Sequence, residues 1–228
     1  MRLMHIVATP RTTDSSTLAA AGLLLEALAR QDPTLFVDEL DLSPAHSPQL
    51  AFHPADSGTT LVPVQAPDPE CDRSHKHAES LITRFLAADR YLVTVPVWNL
   101  EVPHGLKCFL DVIIQPGRLF DYDTRGRVVG LAKHRKMVIC ASGSDHFSGV
   151  GAVVQNYQEN YLRVIFDFIG ITDIRFIESE PAGPRDAQER QLRASTAAAA
   201  GYLIAGPSTL DITDSAGDRC DVPTIPGR

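Results

Sequence analysis

Hydroxyl side chains are concentrated in one short segment that follows the first apolar run of the chain. The segment TPRTTDSST, residues 9–17, lies between LMHIVA and a Leu/Ala-rich stretch, and it contains no glycine. An α-helix N-terminus offers unpaired N–H groups and partial positive charge, which attract phosphate. The candidate phosphate ligands are Thr9, Arg11, Ser15, Ser16 and Thr17. This composition suits one terminal monophosphate, although Asp14 or Ser15 could instead only cap the helix.

A second polar segment, PVWNLEVP (residues 96–103), contains the only tryptophan of the chain, Trp98, next to Asn99. An aromatic ring and a carboxamide can flank a planar heterocycle, because one supplies surface and the other hydrogen bonds. The alternative is a tryptophan in the core and an asparagine in a turn.

A third polar segment, ASGSDHFSGVG (residues 141–151), follows a strand-like apolar run. Its small residues would let backbone N–H groups approach the edge of a ligand. His146 could supply a proton near neutral pH, or it could simply be solvated.

These segments must be positioned by elements whose apolar pattern indicates alternating strands and helices. The predicted strands are 3–8, 35–42, 91–97, 136–141 and 173–178, and the last predicted helix is 185–205. Alternation of this kind predicts an α/β fold, a doubly wound parallel sheet of five strands with helices on both faces. In strand order 2-1-3-4-5, ligands bind at the carboxyl ends of strands one, three and four, where the three polar segments lie. The weaker, alternating second strand fits an edge position.

Length and composition predict one domain over residues 1–206. Two segments depart from the alternating pattern. Residues 43–75 contain six prolines and predict an irregular excursion, and residues 207–228 predict a flexible C-terminal tail.

Charge, hydropathy and cysteine spacing argue against a nucleic-acid-binding, membrane-spanning, secreted or cysteine-ligated metal protein. The 228-residue chain has a formal net charge of −7, which argues against nucleic-acid binding. No apolar stretch is long enough to span a bilayer, and the N-terminus lacks a secretory signal pattern. The four cysteines show no metal-ligand spacing, which predicts reduced thiols and a cytoplasmic location.

Several segments resemble the FMN-dependent NAD(P)H:quinone oxidoreductase and azoreductase family, which has a flavodoxin-like fold. The segment PVWNLEVPHGLKCFLDVI is similar to the family pattern Pro-Met-Tyr-Asn-Phe-x-x-Pro-x-x-Leu-Lys-x-x-x-Asp. PGRLFDY, GLAKHRKMVICASGSDH and FDFIGITDIRFIESE extend the resemblance. Together with the first strand and turn, it covers roughly residues 3–42 and 80–205.

The resemblance implies tightly but non-covalently bound FMN, with NADH or NADPH as co-substrate. Its phosphate loop corresponds to Thr9, Arg11, Ser15, Ser16 and Thr17. Its loop at the isoalloxazine ring corresponds to Pro96, Val97, Trp98, Asn99 and Leu100. Its loop at the pyrimidine edge corresponds to Ala141, Ser142, Gly143 and Ser144. Trp98 replaces the usual tyrosine, and ASGS replaces a Ser-Arg-Gly-Gly-like run.

The implied reaction is ping-pong hydride transfer from NAD(P)H through FMN to a quinone, azo or related aromatic acceptor. His146 is the candidate proton donor. Phe120 and Tyr122, on a predicted hairpin with a turn near Arg125-Gly126, would wall the acceptor pocket. The resemblance also implies a homodimer with the active site at its interface. The alternatives are a flavodoxin-like electron carrier for a protein partner and a specialised metabolite-tailoring flavin reductase.

Overall fold

The computed structural model describes residues 1–9, 15–43, 69–142, 157–181 and 183–206. Within these ranges it has seven strands and five helices. In chain order they are β1 (Arg2–Val7), α1 (Ser16–Gln31), β2 (Phe36–Asp41), α2 (Pro69–Leu86), β3 (Arg90–Val95), α3 (His104–Ile113), β4 (Phe120–Tyr122), β5 (Val128–Gly130), β6 (Lys136–Ala141), α4 (Tyr157–Phe168), β7 (Asp173–Glu178) and α5 (Arg185–Ile204).

Five strands form a parallel sheet in the order β2-β1-β3-β6-β7. This order confirms the predicted 2-1-3-4-5 arrangement and the edge position of the second strand. The other two strands, β4 and β5, form the predicted antiparallel hairpin. Its turn includes Gly126, whose φ of +73° is readily adopted by glycine.

The sheet is covered on both faces, so successive residues of its central strands enter two different cores. Met4 and Ile6 of β1 pack in the core formed with α2, α3 and α4. Leu3 packs in the opposite core, formed with α1 and α5. Burial on both faces explains why these strands read as continuous apolar runs instead of alternating ones.

Two predicted boundaries are corrected by the structure. Residues 69–75 of the predicted irregular segment 43–75 are helical, because α2 begins at Pro69. Proline suits the first helical position, where its fixed φ is helical and its missing N–H leaves no intrahelical bond unmade. The predicted third strand ends at Val95 instead of residue 97, because Pro96 has no N–H for the sheet.

A histidine is buried among the central strands, beneath the carboxyl edge of the sheet. His5 is 3% exposed, and its Nε2 lies 2.7 Å from Thr94 Oγ1. Its Nδ1 lies 3.4 Å from the carboxylate of Glu39, which is largely exposed. Burial lowers the pKa of His5, and the Glu39 carboxylate opposes this only in part. The histidine is therefore neutral in the folded protein at neutral pH.

The variant His5→Val should make the free energy of unfolding less sensitive to acid than in the parent protein. Below the ordinary pKa of 6.5 the unfolded chain protonates His5 while the folded chain resists it, so acid favours unfolding. The parent should lose up to about 1.4 kcal/mol per pH unit from this residue, until the folded pKa is reached. Urea unfolding from pH 7.5 to 5.5 measures the difference, and parallel curves for the two proteins would contradict it.

Candidate functional site

The hydroxyl-rich turn leads into the first helix at the carboxyl end of β1. Ser15 is the N-cap of α1, and its Oγ accepts a long hydrogen bond of 3.4 Å from Leu18 N. Ser15 Oγ also lies 2.9 Å from Thr17 Oγ1. The first turn of α1 contains no acidic residue. Ser15 therefore caps the helix, and no carboxylate of that turn competes with an anion for the helix N-terminus.

Sequence reasoning missed a residue that lies beside this turn. Ser179, which follows β7, is 6% exposed, and its Oγ lies 3.1 Å from Ser16 Oγ. Its N–H donates to Ala141 O at 2.9 Å, so it also touches the end of β6. A polar residue after the fifth strand could have been noticed, but strand order directs attention to the ends of strands one, three and four.

The segment after β3 forms a tight turn that presents Trp98. Trp98 and Glu101 exchange two backbone hydrogen bonds, of 2.9 and 3.0 Å. The two residues between them have positive φ, +49° at Asn99 and +72° at Leu100. Asparagine tolerates this conformation, whereas for leucine it is strained. Trp98 is 48% exposed, so the core alternative is wrong for Trp98, while Asn99 does lie in a turn.

The segments after β3 and β6 are joined by a direct hydrogen bond. Val97 N donates to Ser142 Oγ at 2.8 Å. The structure therefore brings together the two segments that sequence analysis assigned to the ring and to its pyrimidine edge. Of the other predicted site residues, Arg11, Gly143, Ser144 and His146 lie outside the described residues.

A glutamine that sequence reasoning missed also contacts this segment. Gln158 of α4 is 2% exposed, and its Nε2 donates to Pro96 O at 2.8 Å and to Glu101 O at 3.0 Å. Its signal in the sequence is its spacing, because Gln158, Leu162 and Phe166 are the buried residues of α4 at intervals of four. A polar residue on an otherwise apolar stripe requires a hydrogen-bond partner.

The two aromatic residues of the hairpin have different environments. Tyr122 is 59% exposed, whereas Phe120 is 9% exposed and packs on Phe168 with ring centroids 4.7 Å apart. The Phe120 and Tyr122 rings meet edge to face at 5.8 Å. Of the two, only Tyr122 presents most of its ring to solvent, and Phe120 supports it from the core.

A tyrosine of α4, the helix whose Gln158 contacts the turn after β3, has a shifted pKa. Burial, together with the carboxylates of Asp111 and Glu101, raises the pKa of Tyr161 to about 12. Tyr161 is therefore protonated at neutral pH.

No helix in the described part of the chain is long and apolar enough to cross a membrane.

Comparison with known proteins identifies relatives along almost the whole chain. A family model described as flavodoxin-like fold matches residues 1–203. An FMN-dependent NADH:quinone oxidoreductase of Ruegeria pomeroyi is 33% identical over 202 residues, which covers 86% of this chain and 99% of the relative. An FMN-dependent NADH:quinone oxidoreductase 1 of Bradyrhizobium diazoefficiens is 34% identical over 187 residues, with coverages of 81% and 89%.

Solved structures of azoreductases have the same fold. The crystal structure of azoreductase AzrA aligns with a TM-score of 0.71 at 22% identity, covering 89% of this chain and 99% of that one. An FMN-dependent NADH-azoreductase from Bacillus anthracis, solved in complex with FMN, aligns with a TM-score of 0.72 at 19% identity, with coverages of 89% and 98%.

Proposed function

Because this chain belongs to the flavodoxin-like family of FMN-dependent NADH:quinone oxidoreductases, we propose that it binds FMN and reduces a quinone, azo compound or related aromatic acceptor with NADH or NADPH. Its relatives are oxidoreductases, so the chain is an oxidoreductase as well. The observation that carries the proposal is the hydrogen bond from Val97 N to Ser142 Oγ, which unites the segments after β3 and β6 at one edge of the sheet. Open α/β sheets bind their ligands at this edge.

The residues around α1 fit a monophosphate. The helix N-terminus lacks an acidic residue in its first turn, and the hydroxyls of Ser15 and Thr17 lie 2.9 Å apart there. Hydroxyl donors and first-turn N–H groups bind a phosphate without the glycines that a pyrophosphate site uses. The fit supports FMN as the cofactor, not FAD. Thr9, Ser16 and Arg11 complete the proposed set of phosphate ligands.

The remaining site residues would surround the ring system. Pro96, Val97, Trp98, Asn99 and Leu100 would contact the isoalloxazine, and Ala141, Ser142, Gly143 and Ser144 its pyrimidine edge. Bound FMN would supply the redox chemistry, which is hydride transfer from the nicotinamide to the acceptor. The protein would bind and orient the reactants. Tyr122 would wall the acceptor site, and His146 would donate a proton to the acceptor. We expect ping-pong kinetics, with NAD(P)⁺ leaving before the acceptor binds.

The assembly that we propose is a homodimer in the cytoplasm, acting without nucleic acid or membrane. Apolar side chains exposed on α4 and on the turn after β3 support a second subunit, because Val164 is 70% exposed and Leu100 47% exposed. A monomeric mass in light scattering would refute the dimer.

Cys108 and Cys140, both described by the structure, are free thiols, which agrees with a reducing compartment.

The cofactor and the reaction can be tested on the purified protein. Mass spectrometry of the heat-released cofactor should show FMN, and stoichiometric FAD would contradict the assignment. Anaerobic NADH or NADPH should bleach the flavin absorbance, and a quinone should restore it. In steady state the protein should oxidise NADH or NADPH repeatedly when a quinone is present. Bleaching without quinone turnover would favour the electron-carrier alternative, in which a protein partner accepts the electrons.

A further inference from the structure

Gln158 joins the two ends of the turn that carries Trp98. Its side-chain nitrogen donates to Pro96 O, at 2.8 Å, and to Glu101 O, at 3.0 Å. Both partners are carbonyl oxygens, which only accept hydrogen bonds, so the NH₂ group and not the carbonyl of the amide must face them. Two hydrogens of one buried amide therefore connect positions 96 and 101.

The turn between these two positions needs support from outside. Asn99 and Leu100 both have positive φ, and a conformation of this kind persists only where the surroundings hold it. Within the turn, Trp98 and Glu101 exchange two backbone hydrogen bonds. From outside, Ser142 holds the N–H of Val97. Gln158 contacts both ends, and at 2% exposure it is itself held by the packing of α4.

We propose that Gln158 is a positioning residue, which holds the turn 96–101 in the conformation that receives the flavin ring. The part of this proposal that concerns FMN rests on the proposed function. The part that concerns the conformation of the turn does not depend on that function. Gln158 acts through backbone groups of the turn and is not itself assigned a contact with FMN. Its donor capacity, not its size, is the property that matters.

The variant Gln158→Glu tests this property because it keeps the shape and removes both donors. At pH 8 its carboxylate would face two carbonyl oxygens, so we expect the turn to shift and the Kd of FMN to rise about 10-fold or more. At acidic pH the protonated acid regains one donor, so the ratio of its Kd to that of the parent should fall. Trp98, the only tryptophan, reports the turn directly through its emission and acrylamide quenching in the FMN-free protein.

The matched control is Gln191→Glu, the same substitution at an exposed position of α5. It should change neither the Trp98 emission nor the Kd of FMN. Gln158→Met, which has similar length and no donors, replaces the glutamate variant if circular dichroism shows that the latter does not fold. If neither variant folds, Gln158 supports the whole fold instead of the turn, and the proposal is overturned.

The two readouts separate the failure of this proposal from the failure of the proposed function. Unchanged Trp98 emission and an unchanged FMN Kd in a folded Gln158 variant would overturn the positioning role. A changed emission with an unchanged Kd would overturn its connection to FMN. If the parent protein does not bind FMN at all, the proposed function fails, and Trp98 emission alone still decides whether Gln158 positions the turn.

Discussion

Replacing Ser15, Ser16 and Thr17 together with alanine should weaken FMN binding by about 10³-fold or more while the sheet remains folded. A hydrogen bond to a charged oxygen contributes about 1.5–3 kcal/mol, so three independent hydroxyls would contribute about 4.5–9 kcal/mol, whereas a 10³-fold change in Kd corresponds to about 4.1 kcal/mol. Overlap is expected because Ser15 and Thr17 contact each other, and Ser16 contacts Ser179. Equilibrium titration of the FMN-free variant, with flavin fluorescence as the signal, measures the Kd.

The triple variant also removes the N-cap of α1, so its stability must be measured separately. Loss of a serine cap costs about 1 kcal/mol, which should lower the free energy of unfolding without unfolding the domain. The matched control is Ser80→Ala with Thr83→Ala, which removes two exposed hydroxyls from α2 and should leave the Kd unchanged. If the triple variant binds FMN like the parent, the turn serves only as a helix cap.

Gly130→Ala should lower the free energy of unfolding by about 3 kcal/mol, the upper end of the range for overpacking. A Cβ on Gly130 would lie 2.5 Å from Gly170 Cα and would overlap the backbone nitrogen of Gly170. Because the obstacle is backbone, no side-chain rotation can relieve it. Gly170 itself has a φ of +98°, which limits how far that turn can adjust.

The same substitution should also affect turnover. Gly130 ends β5, which pairs with the strand that carries Phe120 and Tyr122, so displacement of the hairpin would move the proposed acceptor wall. We expect a raised KM for the acceptor with a nearly unchanged Kd for FMN. Chemical unfolding and steady-state kinetics measure the two effects.

Gly22→Ala is the control with the opposite expected sign. Gly22 lies within α1, and an added Cβ would meet nothing within 4 Å. Alanine should therefore stabilise the protein by about 0.5–1 kcal/mol, because glycine is unfavourable inside a helix. If Gly130→Ala is as well tolerated as Gly22→Ala, the close approach of the hairpin to Gly170 does not constrain the fold.

The amino-acid sequence by itself determined the sheet and the location of the polar segments. Residues 3–8 and 136–141 are almost continuously apolar because parallel strands are buried on both faces, and this pattern is local. The strand order 2-1-3-4-5 and the hairpin, which the α/β alternation together with the family resemblance led us to expect, are both present in the structure. Boundaries were less well predicted where proline occupied a helix start at Pro69 or a strand end at Pro96.

Only the tertiary structure decided how the site is held together. Gln158 meets Pro96 from a distance of 62 residues along the chain, and Ser16 meets Ser179 from a distance of 163. Such pairs have no periodicity, because they arise where separate elements converge after folding. The packing of Phe120 on Phe168 is another contact between separate elements, and no local sequence pattern signals the positive φ of Leu100. Local pattern specifies which face of a strand or helix is apolar, whereas the partner of a buried polar group is chosen by the packing of distant elements.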